Sequence, residues 1–136
     1  MMVLSIVVAI GSYLHAGTAI LDTVTNKDLL LERFADHPEL LAELAAIFLE
    51  DAPTRLAAIC AGVERRDPGA LEAAAHALKG SAANFEATQA VDAALKLELM
   101  GQGGDLTGVD EALANLQIIM GKLNIELGAL PVRRST

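Results

Sequence analysis

The chain holds three histidines and one cysteine, and only His76 stands in a pattern that chemistry would need. The segment His76-Ala77-Leu78-Lys79-Gly80-Ser81-Ala82-Ala83-Asn84-Phe85 reads as helix. At about 100° per residue, Leu71, Ala74, Leu78, Ala82 and Phe85 gather on one side of that helix. Glu72, His76, Lys79, Gly80 and Ala83 gather on the opposite side. His76 is therefore predicted to point away from the core. An exposed imidazole with a pKa near ~6.5 is largely neutral at cellular pH, so one ring nitrogen keeps a lone pair that can attack phosphorus. Lys79, one turn along, places a cation beside whatever His76 carries. A unit-charge contact near ~4 Å is worth on the order of a few kcal/mol at a partly screened surface.

Gly80 is the residue that stability explains least, because a glycine inside a helix costs roughly 1 kcal/mol against alanine and this one faces away from the apolar stripe. With Ala77 and Ala83 also small, the strip around His76 is low in relief. It reads as a docking surface on which a partner descends over the imidazole, not as a pocket.

The other polar candidates have plainer readings. His37 sits beside Pro38 at a helix start, His15 lies in an apolar segment, and neither forms a metal site with His76. No Cys/His cluster has zinc-ligand spacing, so no metal and no cofactor of the chain's own is expected. Cys60 falls on an apolar helical stripe and is expected in the core; alone, it suits a reducing compartment. Ser81 and Asn84 suit hydrogen bonds to nearby backbone. There is no Walker-type or kinase-type glycine loop, so no ATP site of the chain's own is expected.

The elements that must position His76 follow from periodicity. A short helix over about residues 26–34 gives way at Asp36-His37-Pro38, and a second runs over about 38–65, with Leu41, Leu44, Phe48, Leu56, Ile59 and Val63 at helical spacing and a bend expected at Pro53. Asp67-Pro68 opens a third helix, about 68–85, which carries His76. A fourth covers about 87–100, after which Gly101, Gly103 and Gly104 mark a turn. Thr107 with Asp110 resembles a capping box for the last helix, whose stripe is Val109, Leu113, Leu116, Met120, Leu123 and Leu127, ended by Gly128 and Pro131. Helices of this kind joined by short turns specify an all-α fold, an antiparallel up-down four-helix bundle with a short additional N-terminal helix.

Length and composition agree with a single domain: 136 residues, 53% apolar and only 3% aromatic. A net charge of -8 argues against nucleic acid, which needs a basic face. The sequence divides into an apolar segment at 1–21, the bundle at 22–130 and a tail at 131–136. Residues 1–21 contain no Lys, Arg, Asp or Glu. Their unbroken apolar run is too short to span a ~30 Å hydrocarbon layer and lacks the basic start of a secretory signal. They read as an appended segment whose Val3, Ile6, Val7 and Ile10 rest on the bundle, with targeting or anchoring as the alternative. Either a monomer or self-association through this segment fits the pattern.

The string from His76 to Phe85 resembles the signature of histidine-containing phosphotransfer (HPt) domains, a histidine followed by x-Leu-Lys-Gly-Ser-x-x-x-Phe. The resemblance continues in Phe34-Ala35-Asp36-His37-Pro38-Glu39-Leu40-Leu41, in Phe48-Leu49-Glu50-Asp51-Ala52-Pro53, and in Leu97-Glu98 with Gly104-Asp105-Leu106, and covers about residues 19–130. It implies a cytoplasmic phosphorelay intermediate: His76 receives a phosphoryl group from a phospho-aspartate on one receiver domain and passes it to another, with Lys79 stabilising it. The receiver would supply Mg²⁺ and most catalytic groups. Glu98 holds the place where the family often has a polar Glu or Gln near the histidine, which implies that it orients the ring. One departure is Glu86, where the family usually has glycine. Extrapolated along the helix, Glu86 falls near the angular position of Lys79, where it would lower anion affinity or alter partner choice. That feature supports the alternative of an interaction module that regulates a receiver or kinase without accepting phosphate.

Overall fold

Side-chain caps and helix-initiating prolines decide where the helices begin. In the computed structural model, which describes residues 23–130, Asn26 accepts the Leu29 N–H at 3.1 Å and opens α1 (Lys27–Arg33). Pro38 occupies the first turn of α2 (Pro38–Glu64), where its missing N–H has no helical partner to lose. Asp67 accepts the Ala70 N–H at 3.1 Å and, with Pro68 behind it, opens α3 (Pro68–Ala83). Then follow α4 (Thr88–Gly103) and α5 (Val109–Gly128). The segment 1–21 and the tail 131–136 lie outside the described residues.

The longer four helices form the expected antiparallel bundle, each packed on its neighbours in sequence, with α2 also against α5. Side chains fix the directions: Phe48 meets Phe85 edge-on with centroids 5.2 Å apart, while near the other end of the α2–α3 pair Gly62 lies against Leu71. The core is aliphatic, with Leu30, Leu41, Ile59, Leu71, Leu78, Leu97, Leu116, Met120 and Leu123 sealed from solvent. At roughly 1.5–3 kcal/mol for each such side chain, this burial is what holds the bundle together. The helix α1 closes one end: Leu30 enters the core, Asn26 N–H donates to the Glu86 carbonyl at 3.1 Å, and the Thr25 hydroxyl donates to the Phe85 carbonyl. The Glu126 carboxylate accepts N–H groups from Val24, at 2.8 Å to Oε2, and from Thr25, at 2.9 Å to Oε1, which ties the chain leading into α1 to the last turns of α5.

The α2 helix runs through Pro53 as a single element, as its periodicity led one to expect. Several other local expectations are corrected. The α3 helix stops at Ala83, two residues earlier than periodicity suggests, because Phe85 turns into the core and Glu86 takes a left-handed backbone, φ 52°. In α4 the helix continues to Gly103, and Gly101 is no turn residue: it is buried inside the helix. A Cβ there would stand 2.6 Å from the Pro68 carbonyl oxygen and 2.8 Å from the Glu72 nitrogen. The stop is Gly104, at φ 79°. The capping box of Thr107 and Asp110 does not form. The left-handed Gly108 precedes α5, the Thr107 N–H donates to Asp105 at 3.0 Å, and Asp110 pairs with Arg66 at 2.9 Å. Cys60 is half-buried beside the Gln117 amide, at 3.5 Å, because it lies at the α2–α5 edge of the core and not within it. On α3, Ala75 is sealed where Ala74 was expected to be, and Ala74 packs at the margin.

The close approach at Gly101 yields a test. Gly101→Ala is expected to lose about 1–3 kcal/mol in urea unfolding, because the added methyl group meets backbone that cannot rotate away. Gly103→Ala, whose Cβ would meet nothing within 4 Å, is expected to stay within about 0.5 kcal/mol of the parent or exceed it.

Candidate functional site

Two helix faces build the site, and the contact at Gly101 brings them together. On α3, Glu72, His76, Lys79, Gly80 and Ala83 lie off the buried stripe of Leu71, Ala75, Leu78 and Ala82. On α4, Glu98 stands one turn before Gly101 and so on the same side of its helix, facing α3. The backbone approach at Gly101 therefore sets the reach of Glu98 onto α3.

The His76 side chain is 68% exposed, and its Nδ1 lies 3.0 Å from Glu98 Oε2. Lys79 Nζ lies 2.7 Å from Glu98 Oε1, with the lysine side chain 26% and the glutamate 16% exposed. One carboxylate thus holds both the ring and the ammonium, one on each oxygen. The Glu98 carboxyl is held below its ordinary value of 4.5, first by the hydrogen bond from Lys79; partial burial opposes this and the hydrogen bond from His76 adds to it.

This arrangement selects the reactive atom. With Nδ1–H donating to an ionised Glu98, the neutral ring carries its lone pair on Nε2, on the far side of the imidazole from the carboxylate. Nε2 is then the ring nitrogen with a free lone pair, and Lys79 lies one turn along α3 with its ammonium on the other oxygen of Glu98.

Of the residues singled out from sequence, Glu72 lines a shallow depression with His76 and Glu98, and Gly80 and Ala83 are exposed along the same face of α3. A Cβ at Gly80 would meet nothing within 4 Å, so no intramolecular contact requires glycine there. Ala77 is turned a further 100° round the helix, is partly buried, and does not line the depression. Gly69 and Ala73 do line it and were missed. Their spacing of seven and three residues before His76 was the available signal. The bond between Lys79 and Glu98 was missed as well, because it crosses between helices. Among the described residues no group of three His, Cys, Asp or Glu is placed to hold a metal ion, and no helix is long and apolar enough to cross a membrane.

Glu86 is not part of this site. Since α3 ends at Ala83, the angular extrapolation that set Glu86 near Lys79 does not apply. The Glu86 carboxylate instead pairs with Arg33 of α1, whose guanidinium also lies 5.4 Å from the Phe34 ring centroid. At φ 52° a glycine would be unstrained, which accounts physically for the residue usual at this place in the family pattern.

Among families of known proteins, the model described as Hpt domain matches residues 43–130, a span that begins within α2 and includes His76, Lys79 and Glu98. No curated protein and no solved structure matches the chain.

Two measurements check this description. Gly80→Ala is expected to raise the stability of the free protein by about 0.5–1 kcal/mol in thermal unfolding, since the helix gains a better former and nothing is displaced. In an NMR titration, the bonds of Glu98 to His76 and Lys79 are expected to persist as pH falls through 4.5, the ordinary glutamate value, and to be lost together only below it. The sign follows from the lowered carboxyl: the stabilisation is complete above the unfolded-state value and disappears as pH drops through the folded one. Release of Lys79 without His76 would contradict a shared carboxylate.

Proposed function

Because the chain belongs to the Hpt domain family, we propose that it is a phosphorelay intermediate of two-component signalling that carries its phosphoryl group on Nε2 of His76. The observation that carries this reading is an imidazole, 68% exposed as a side chain, whose Nδ1 is committed to Glu98, which leaves Nε2 as the nitrogen that can react. The residues 22–130 form the carrier domain in this reading.

In the charging step, the Nε2 lone pair attacks phosphorus in the phospho-aspartate of a receiver domain; the N–P bond forms, the P–O bond to the aspartate breaks, and the carboxylate leaves with the electron pair. Discharge to a second receiver is the same displacement reversed. In this reading Lys79, whose ammonium lies 2.7 Å from Glu98, supplies positive charge to balance the bound phosphoryl group. Glu98 is a positioning residue, fixing the tautomer and orientation of the ring. Gly80 and Ala83, with Glu72 and the partly buried Ala77 at the margins, supply the low-relief surface on which a receiver settles. The receiver contributes Mg²⁺ and the remaining catalytic groups, so the chain needs neither an ATP site nor a cofactor of its own. Receiver domains of response regulators and hybrid kinases are accordingly the partners, in the cytoplasm.

Incubation with a phosphorylated receiver domain tests the reading. The wild-type chain is expected to acquire label that is labile to acid and stable to alkali, and His76→Gln to acquire none. Unlabelled wild type, or undiminished label on His76→Gln, overturns it.

A further inference from the structure

The carboxylate that selects the tautomer of His76 also remains beside the ring after phosphorus has been taken up. Resting on the carrier reading above, we propose that Glu98 keeps the Nδ1 proton on the phosphorylated ring, so that His76 holds its cargo as a phosphoimidazolium and is poised for discharge.

The proton inventory leads there. Before attack, Nδ1 carries the proton and Nε2 the lone pair. When Nε2 spends that pair on the N–P bond, the ring becomes cationic with its proton still on Nδ1. Free in water, such a ring sheds this proton as pH rises and becomes a neutral phosphoimidazole, whose leaving group would be imidazolate, a poor one. Here the Nδ1–H points at a carboxylate 3.0 Å away, largely withdrawn from solvent at 16% exposure, which serves as counter-ion to the cationic ring. Discharge then breaks the N–P bond with its pair returning to Nε2, and the ring that leaves is neutral imidazole with its proton where it began. No proton needs to enter or leave the site in either direction.

Among the described residues, the charged groups facing the ring are Glu72 and Lys79 on its own helix and Glu98 on α4. Glu98 alone bonds Nδ1. Glu72 adds negative charge to the same depression and reinforces the cationic ring, whereas Lys79 opposes it and is itself neutralised by the second oxygen of Glu98, at 2.7 Å. The arrangement therefore separates two tasks: the carboxylate stabilises the ring cation and the ammonium the phosphoryl anion.

The test loads the full chain with phosphoramidate and follows loss of the phosphohistidine to water by phosphorus NMR between about pH 5 and 9, while nitrogen NMR reads the protonation of Nδ1. In the wild type, Nδ1 is expected to stay protonated and the rate near-constant through neutral pH. Glu98→Gln keeps the shape and a hydrogen-bonding end but removes the counter-ion. It is expected to lose the proton within this window, its rate falling about tenfold for each pH unit above the ring's own pKa. Superimposable wild-type and Glu98→Gln profiles, both from proteins phosphorylated on His76, overturn the inference and leave the carrier reading intact. A wild type that takes no phosphoryl group from either phosphoramidate or a phosphorylated receiver defeats the carrier reading itself.

Discussion

One carboxylate is shared here between an imidazole and an ammonium of the neighbouring helix, and the two helices meet, one turn from that carboxylate, at a position that has no Cβ. At Gly101 the α4 backbone meets the first turns of α3 at a distance that excludes any side chain. Glu98, one turn away on the same side, is thereby brought over the stretch of α3 that carries His76 and Lys79. Gly62 plays a lesser version of the same part between α2 and α3, where a Cβ would be 3.0 Å from the Leu71 nitrogen. Thus α3 is seated tightly on both flanks, while most side chains on the outward face bearing His76 touch solvent.

The division between stability and chemistry follows from that seating. The sealed leucines, Ile59 and Met120 lie on the inner faces and account for cohesion. The outer face of α3 contributes little and in part detracts, since Gly80 forgoes helix propensity without relieving any contact. At the far end of α3 the left-handed Glu86 is a second local cost, offset by the Arg33 pair and by the Asn26 N–H bonded to its carbonyl. These two costs differ in kind. The strain at Glu86 has intramolecular partners that explain it, whereas Gly80 has none within the described residues; in the carrier reading a partner's surface would cover it.

What the sequence made legible was whatever repeats with the helical period. The five helices, the Asn26 and Asp67 starts, and the outward direction of His76, Lys79 and Gly80 all rest on which residues share a face, and side-chain burial bears them out. Features that depend on how one helix meets another, or on where a helix stops, were out of reach. Gly101 reads as a turn in one dimension and proves to be a packing residue, because only the neighbouring Pro68 carbonyl reveals it. Glu86 was misplaced because extrapolating an angle assumes a helix that had already ended. The capping box of Thr107 failed because Asp105, closer in sequence, captured the Thr107 N–H first. Glu98 was found through family resemblance as a partner of the ring, but its second bond, to Lys79, could be seen only with both helices in place.

In the carrier reading, an anionic residue stands beside the group that receives a phosphoryl anion, an arrangement that charge alone would oppose. Charge counting removes the difficulty. Glu98 and Lys79 cancel, so with a ring that enters the reaction neutral these three groups present no net charge to the phospho-aspartate of the carrier reading. After transfer in that reading a ring that keeps its proton is cationic, so the site then holds two cations, on the ring and on Lys79, and one carboxylate, which is bonded to Nδ1 and not to the phosphorylated nitrogen. Without Glu98 the lysine would remain but the ring would be free to lose its proton and become neutral, leaving one cation beside the phosphoryl group. The carboxylate therefore adds positive charge to the site at the moment it is needed, by holding a proton that is already there.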